Sequence, residues 1–262
     1  MEQRDVDGHY EELAAAYEDH WVYGPDHIPW ISARIAEALR LSPADRIADI
    51  GCGTGLFARE VARTVQPEHP VLCADPSAAM LRRLGAPPPS GLTPLLASAE
   101  DIAEGRAELP SEQLDAVWLK EAVHHLADPA ATLRGLAQRL APGGRLLVVM
   151  LPATIRYPLF RSALDRFEEL QPDPAGIARH LEAAGLATRL FHVEHEVRLD
   201  REKYVGMVRA RYMSLLSTFS DSEIERGIAE MEAAHPESVL VFPDRFAFVL
   251  GARTGEVGTA SA

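Results

Sequence analysis

From Arg46 onward the chain alternates short apolar runs with amphipathic stretches. Residues 46–50, 71–75, 94–97, 115–119 and 145–151 are brief, largely apolar and bounded by polar or turn-forming residues, which predicts strands. Between them, 56–65, 77–84 and 129–140 carry apolar residues at helical spacing and predict helices. Alternating strands and helices imply an α/β fold, a parallel sheet with helices on both faces. Upstream, Tyr10, Leu13, Ala14 and Tyr17 recur at helical spacing, Pro25 and Pro29 interrupt, and a second helix ends before Leu41-Ser42-Pro43. Pro87-Pro88-Pro89-Ser90-Gly91 reads as a loop.

Beyond Met150 the pattern changes. Residues 157–170 and 173–184 are helix-like, the latter ending at Gly185. Residues 191–199 are strand-like. The stretches 201–217 and 221–234 form a helical pair, with Ser220-Asp221-Ser222-Glu223 supplying capping residues. Residues 238–251 predict an antiparallel strand pair or one bent strand. The expected organisation is a helical lid over 1–41, an α/β domain over 42–253 with cap helices at about 200–236, and a disordered tail rich in Gly, Ser, Ala and Thr over 254–262.

The sharpest chemical signal is Ala48-Asp49-Ile50-Gly51-Cys52-Gly53-Thr54-Gly55. A strand ends in an acid, three glycines fall at alternate positions, and a helix follows, so the backbone turns tightly and approaches a ligand closely. Val71-Leu72-Cys73-Ala74-Asp75 ends a second strand in another acid, placed to accept both hydroxyls of a ribose. Dinucleotide enzymes also use a Gly-rich loop, but Gly-x-Gly-x-Gly followed by Leu56 departs from their Gly-x-Gly-x-x-Gly spacing.

These motifs resemble the class I S-adenosylmethionine-dependent methyltransferases. Asp75-Pro76-Ser77-Ala78-Ala79-Met80-Leu81, Ala97-Ser98-Ala99-Glu100-Asp101, Asp115-Ala116-Val117-Trp118-Leu119 and Leu140-Ala141-Pro142-Gly143-Gly144-Arg145 look like that family's later motifs, in the family's order. The resemblance implies a Rossmann-like, seven-stranded, mostly parallel sheet, with a helical cap inserted before the last strand. It implies S-adenosyl-L-methionine as donor and S-adenosyl-L-homocysteine as product. Carried over, Gly51, Cys52 and Gly53 underlie the methionine part, Asp49 engages its amino group and Tyr17 its carboxylate. Asp75 takes the ribose, Pro76 and Met80 flank the adenine, and Ala99 with Glu100 or Asp101 meets its amino group. Lys120 and Glu121 border the cofactor.

Sulfonium methyl transfer needs mainly alignment of donor and nucleophile. Where the nucleophile must lose a proton, a histidine beyond the fourth strand is suited to take it. His124 matches the base position of some small-molecule O-methyltransferases, although His125-Leu126 replaces their Asp-Trp, and His125 is the second candidate. Both histidines equally suit a cap on the next helix. Trp21, Tyr157, Tyr204, Met207 and Arg211 are the expected acceptor-pocket residues beside His124, and Tyr204 and Met207 equally suit a buried helix face.

Composition narrows the partners. A formal net charge of −13 with no basic run argues against nucleic acid. No apolar stretch nears the roughly 20 residues that cross a bilayer, and the polar start lacks a signal-peptide core, so the expected setting is cytoplasmic with no membrane contact. Cys52 and Cys73 read as buried thiols rather than a disulfide. Phe191-His192-Val193-Glu194-His195-Glu196-Val197 reads as an alternating strand rather than a metal site, and no metal is expected. The expectation is a methyltransferase acting on an O, N or nucleophilic C atom of a small molecule. A role in bacterial secondary metabolism, as a monomer or homodimer, goes with it. The alternatives are a peptide or protein side-chain methyltransferase and a non-catalytic S-adenosylmethionine-binding protein.

Overall fold

The computed structural model describes residues 23–254. Tyr10, Tyr17, Trp21, most of the expected lid and residues 255–262 lie outside them. The described chain runs α1 (His27–Leu39), β1 (Ile47–Ile50), α2 (Leu56–Val65), β2 (Val71–Asp75), α3 (Ala78–Arg82), β3 (Leu92–Leu96), α4 (Ala99–Glu104) and β4 (Leu114–Lys120). A 3-10 turn (Val123–His125), α5 (Pro129–Gln138), β5 (Leu140–Met150), α6 (Arg161–Leu170) and α7 (Pro174–Ala183) follow. Then come β6 (Ala187–Asp200), α8 (Arg201–Arg209), a second 3-10 turn (Ser214–Thr218), α9 (Asp221–Ala234) and β7 (Val239–Ala252).

The seven strands form one sheet in the order β3-β2-β1-β4-β5-β7-β6. Pairings among β1 to β5 are parallel, and β7 runs antiparallel to both β5 and β6. Strands β1, β2 and most of β4 are buried on both faces, which is why they read as continuous apolar runs. Alternate residues feed two cores. Ile47, Cys73, Trp118, Leu147 and Val149 face α1, α2 and the cap. Ala48, Leu72, Val117, Leu119 and Val148 face the layer of α4, α5 and α7. Capping residues fix the helix starts: Asp128 and Asp173 accept backbone N–H groups ahead of Pro129 and Pro174, and Ser98–Asp101 and Ser220–Glu223 form capping boxes.

Several boundaries differ from the sequence reading. α4 went unpredicted because one short turn of helix carries too little periodicity. The helix expected from 157 begins only at Arg161, since Pro158 keeps Tyr157 out of helical geometry and Phe160 is extended at ψ 152°. The helix expected over 201–217 stops at Arg209, and Arg211 turns left-handed at φ 56°. β5 starts five residues earlier than expected, at Leu140, where it pairs with Leu114 across a register shift. Of the two alternatives for 238–251 the single strand holds, as β7 over Val239–Ala252. It forms a long antiparallel ribbon with β6 from Ala187↔Ala252 to Asp200↔Val239. β5 covers only Ala247–Ala252 of it, so the rest projects past the sheet and carries the cap helices α8 and α9 between its strands.

Candidate active site

Two adjoining cavities lie beyond the carboxyl ends of the parallel strands. The first is built from the β1–α2 loop. Backbone N–H groups of Gly51 and Cys52 donate to the Ala74 carbonyl at 2.8 and 3.0 Å, folding the loop over the end of β2. Gly51 has φ +74°, and a Cβ there would lie 2.6 Å from that of Ala122, so this position tolerates no side chain. Asp75 accepts the N–H groups of Gly53 at 2.8 Å and Ser77 at 2.9 Å, one on each carboxylate oxygen. It therefore clamps the loop as well as facing the cavity.

This cavity measures about 340 Å³ and is lined by Gly51, Gly53, Asp75, Pro76, Met80, Ala99, Glu100, Lys120, Glu121 and His125, among others. Asp101 spends its carboxylate on the Ser98 cap and on Arg106, so Glu100 is the acid left at the wall, where it accepts the Ala127 N–H at 3.2 Å. Beneath the loop, Asp49 is buried and its Oδ2 has no hydrogen-bond partner among the described residues. Burial, with Asp75 adding, pushes its carboxyl well above the usual range, and Lys120 pulls it down. An ammonium group at Oδ2 would give that atom its partner and favour the ionised carboxylate. With the side-chain-free cradle at Gly51, the site fits the α-ammonium end of the sulfonium donor.

The second cavity, about 30 Å³, shares Gly51, Lys120 and Glu121 with the first; Asp49 and Cys52 line it but not the first, and Tyr23, Phe57, Tyr157 and Phe246 close it. Lys120 Nζ sits over the Phe57 ring, 4.5 Å from its centroid, and 5.2 Å from that of Phe246. Burial lowers the Lys120 pKa against the pull of Glu121, Asp244 and Asp49. Glu121, left-handed at φ 52°, accepts the Leu151 N–H at 2.8 Å. Burial raises its carboxyl to about 7, with Lys120 opposing.

Not every expected residue meets a cavity. Tyr157 does. His124 lines neither; its ring packs on that of His125 at 4.1 Å between centroids, and burial, then His125 and Lys120, lower its pKa to about 3. That is a neutral imidazole with little affinity for a proton. Tyr204 and Met207 are buried in the cap, Tyr204 meeting the Tyr212 hydroxyl at 3.1 Å, because their helix face packs on the core. Arg211 is spent on Asp221 at 2.7 Å and on the Phe219 carbonyl at 3.2 Å. Tyr17 and Trp21 lie outside the described residues.

His27 and Asp244 at the second cavity escaped the sequence reading, as did its walls Phe57 and Phe246. His27 on α1 donates or accepts through Nε2 to Asp244 Oδ2 on β7 at 2.8 Å, and the Tyr157 hydroxyl donates to Asp244 Oδ1. Asp244 is fully buried. A lone acid inside Phe242-Pro243-Asp244-Arg245-Phe246 was the one available signal.

Residues 48–146, which span β1 to β5, match the methyltransferase domain family model. That match and the sheet order agree with the class I S-adenosylmethionine-dependent methyltransferases that the motifs resemble. The chain is 31% identical over 151 residues to a ubiquinone biosynthesis O-methyltransferase of Xanthomonas campestris pv. campestris, covering 57% of this chain and 56% of that one. The chain thus spans little more than half the length of the curated relatives it matches first. Among solved structures, a Haemonchus contortus phosphoethanolamine N-methyltransferase, in complex with phosphomonomethylethanolamine and S-adenosylhomocysteine, matches at TM-score 0.59 and 16% identity. That match covers 93% of this chain and 57% of that one. The [4+2]-cyclase SpnF matches at TM-score 0.55 and 16% identity, covering 87% and 81%. At such identities these two establish the fold alone. No helix among the described residues is long and apolar enough to cross a membrane.

Proposed function

We propose that the protein transfers a methyl group from S-adenosyl-L-methionine to a small molecule. The observation that carries this reading is the junction of the two cavities at Gly51, Lys120 and Glu121: a large donor-sized cavity opens beside a narrow, aromatic-walled one. When bound, the donor supplies an electrophilic methyl on a good thioether leaving group. Asp49 and the Gly51–Gly53 backbone hold its methionine part, Asp75 the ribose, and Met80, Pro76, Ala99 and Glu100 the adenine. The chain's own task is then alignment and exclusion of water. The narrowness of the second cavity favours a small acceptor over a peptide side chain, and the Xanthomonas relatives, named for O-methylation, favour oxygen.

A second reading follows from SpnF, whose name is that of a cyclase on the same fold. The fold thus also carries chemistry not named for methyl transfer, which keeps open a non-catalytic S-adenosylmethionine-binding protein as the alternative. Incubation with methyl-labelled donor and a panel of hydroxyl, amine and carbon acceptors, read by mass spectrometry, tests the proposal. Labelled product is expected. Adenosylhomocysteine binding without any labelled product supports the second reading. Competition by NADH but not adenosylhomocysteine overturns both.

A further inference from the structure

We infer that His27, oriented by Asp244, is the catalytic base of the acceptor site, and that the acceptor is an aromatic hydroxyl. The inference rests on the methyltransferase reading and deepens it. Three observations carry it. First, His27 lines the second cavity and is 3% exposed, and its Nδ1 has no hydrogen-bond partner among the described residues. Secondly, its other nitrogen, Nε2, lies 2.8 Å from Asp244 Oδ2, and Asp244 takes the Tyr157 hydroxyl on its remaining oxygen. With that carboxylate ionised, Nε2 carries the hydrogen and donates it. The lone pair is thereby left on Nδ1, and the carboxylate stabilises the imidazolium that forms when Nδ1 gains a proton. Thirdly, Phe57 and Phe246 wall the cavity under the Lys120 ammonium.

Those walls select the acceptor. Aromatic rings favour a flat aromatic partner. The Lys120 ammonium attracts an oxygen that is gaining negative charge. At about 30 Å³ the cavity takes the reacting hydroxyl, and admitting the acceptor ring requires its aromatic walls to move. The acceptor O–H bond breaks and its proton passes to Nδ1 of His27. The oxygen electron pair forms the O–CH3 bond as the S–CH3 bond of the donor breaks, and that bond's pair stays on sulfur. Asp244 touches neither reactant and is a positioning residue.

The test uses 4-nitrophenol, whose anion absorbs in the visible, added to the full-length protein saturated with adenosylhomocysteine. Wild type is expected to bind the probe and raise its ionised fraction. In His27→Ala that gain should fall at least about tenfold and return in part with added imidazole, and Asp244→Asn should lose an intermediate share. Calorimetric affinity for adenosylhomocysteine should be unchanged in both variants, which shows that they fold. Equal ionised fractions in wild type and His27→Ala overturn the inference, as does failure of wild type to bind the probe. If wild type does not bind adenosylhomocysteine, it is the methyltransferase reading that falls.

Discussion

The proposed donor and acceptor sides of this site are built by different means. On the donor side, main-chain groups and side chains within a few positions of the ends of β1, β2 and β4 do the work: Gly51 and Cys52 fold onto Ala74, and Asp75 holds Gly53 and Ser77. On the acceptor side the key contact joins His27 to Asp244, 217 residues away, with Tyr157 from a third segment. A loop at a strand end needs a fixed spacing and so leaves a motif. A wall assembled across the sheet needs only suitable side chains in place, and it leaves the rest of the sequence free.

If that contrast is right, the two sides should fail separately. The largest effect belongs to the cradle. Gly51→Val forces a side chain onto Ala122 at a left-handed backbone position. Adenosylhomocysteine affinity should drop by at least about 100-fold, roughly 3 kcal/mol. Calorimetry showing wild-type affinity would remove the loop from the donor site.

Glu121, on the shared floor, gives the next effect, in pH dependence. Its carboxyl is raised from an ordinary 4.5 to about 7, so the unfolded chain ionises it first. The stability tied to the neutral acid is complete below pH 4.5 and is lost as pH rises to about 7, up to about 3 kcal/mol. Glu121→Gln keeps an acceptor for the Leu151 N–H and should remove this loss. Urea unfolding at about pH 5 and about pH 8 checks it: the variant's advantage must be clearly larger at the higher pH. His124, lowered to about 3, contributes the opposite slope, losing stability as pH falls from its ordinary 6.5.

Third comes Asp75→Ala, which should cost the donor about 1.5–3 kcal/mol, the scale of a lost charged acceptor. Because Gly53 and Ser77 lose their partner too, part of the cost is a looser loop. Replacing adenosylhomocysteine with homocysteine, which lacks the ribose, separates the two parts: any loss that persists is the loop's.

The same division explains what the sequence made legible. Parallel strands buried on both faces announce themselves as apolar runs, so β1, β2 and β4 and the loop after β1 were readable from Ile47, Val71, Trp118 and their neighbours. Asp75, Met80, Ala99 and Glu100, from the motifs that follow, line one cavity. The cap was readable as helices but not as packing. Tyr204 and Met207 have the helical spacing of either a pocket roof or a core face, and only the fold shows the core face. His27 was invisible because nothing near it in sequence marks it. His124 was conspicuous for its place beyond β4, yet it lines neither cavity and packs on His125.

The smallest expected effect tests the acceptor side by itself. Tyr157→Phe removes one hydroxyl and leaves the ring, which still packs at 5.3 Å from that of Phe242. What is lost is the donor to Asp244 Oδ1. Burial and the Asp244 charge hold the Tyr157 phenol well above its usual pKa, so it is a donor throughout the neutral range. Its removal should therefore lower stability by about 1–2 kcal/mol, the scale of a buried acceptor left short of a partner. Adenosylhomocysteine affinity should stay within about twofold of wild type, since contacts on separate sides of a site behave additively. Thermal melts and calorimetry on the same preparation measure both. Loss of donor affinity on the scale of Asp75→Ala would mean that the two sides are coupled through Glu121 and Leu151, and the contrast drawn above would not hold.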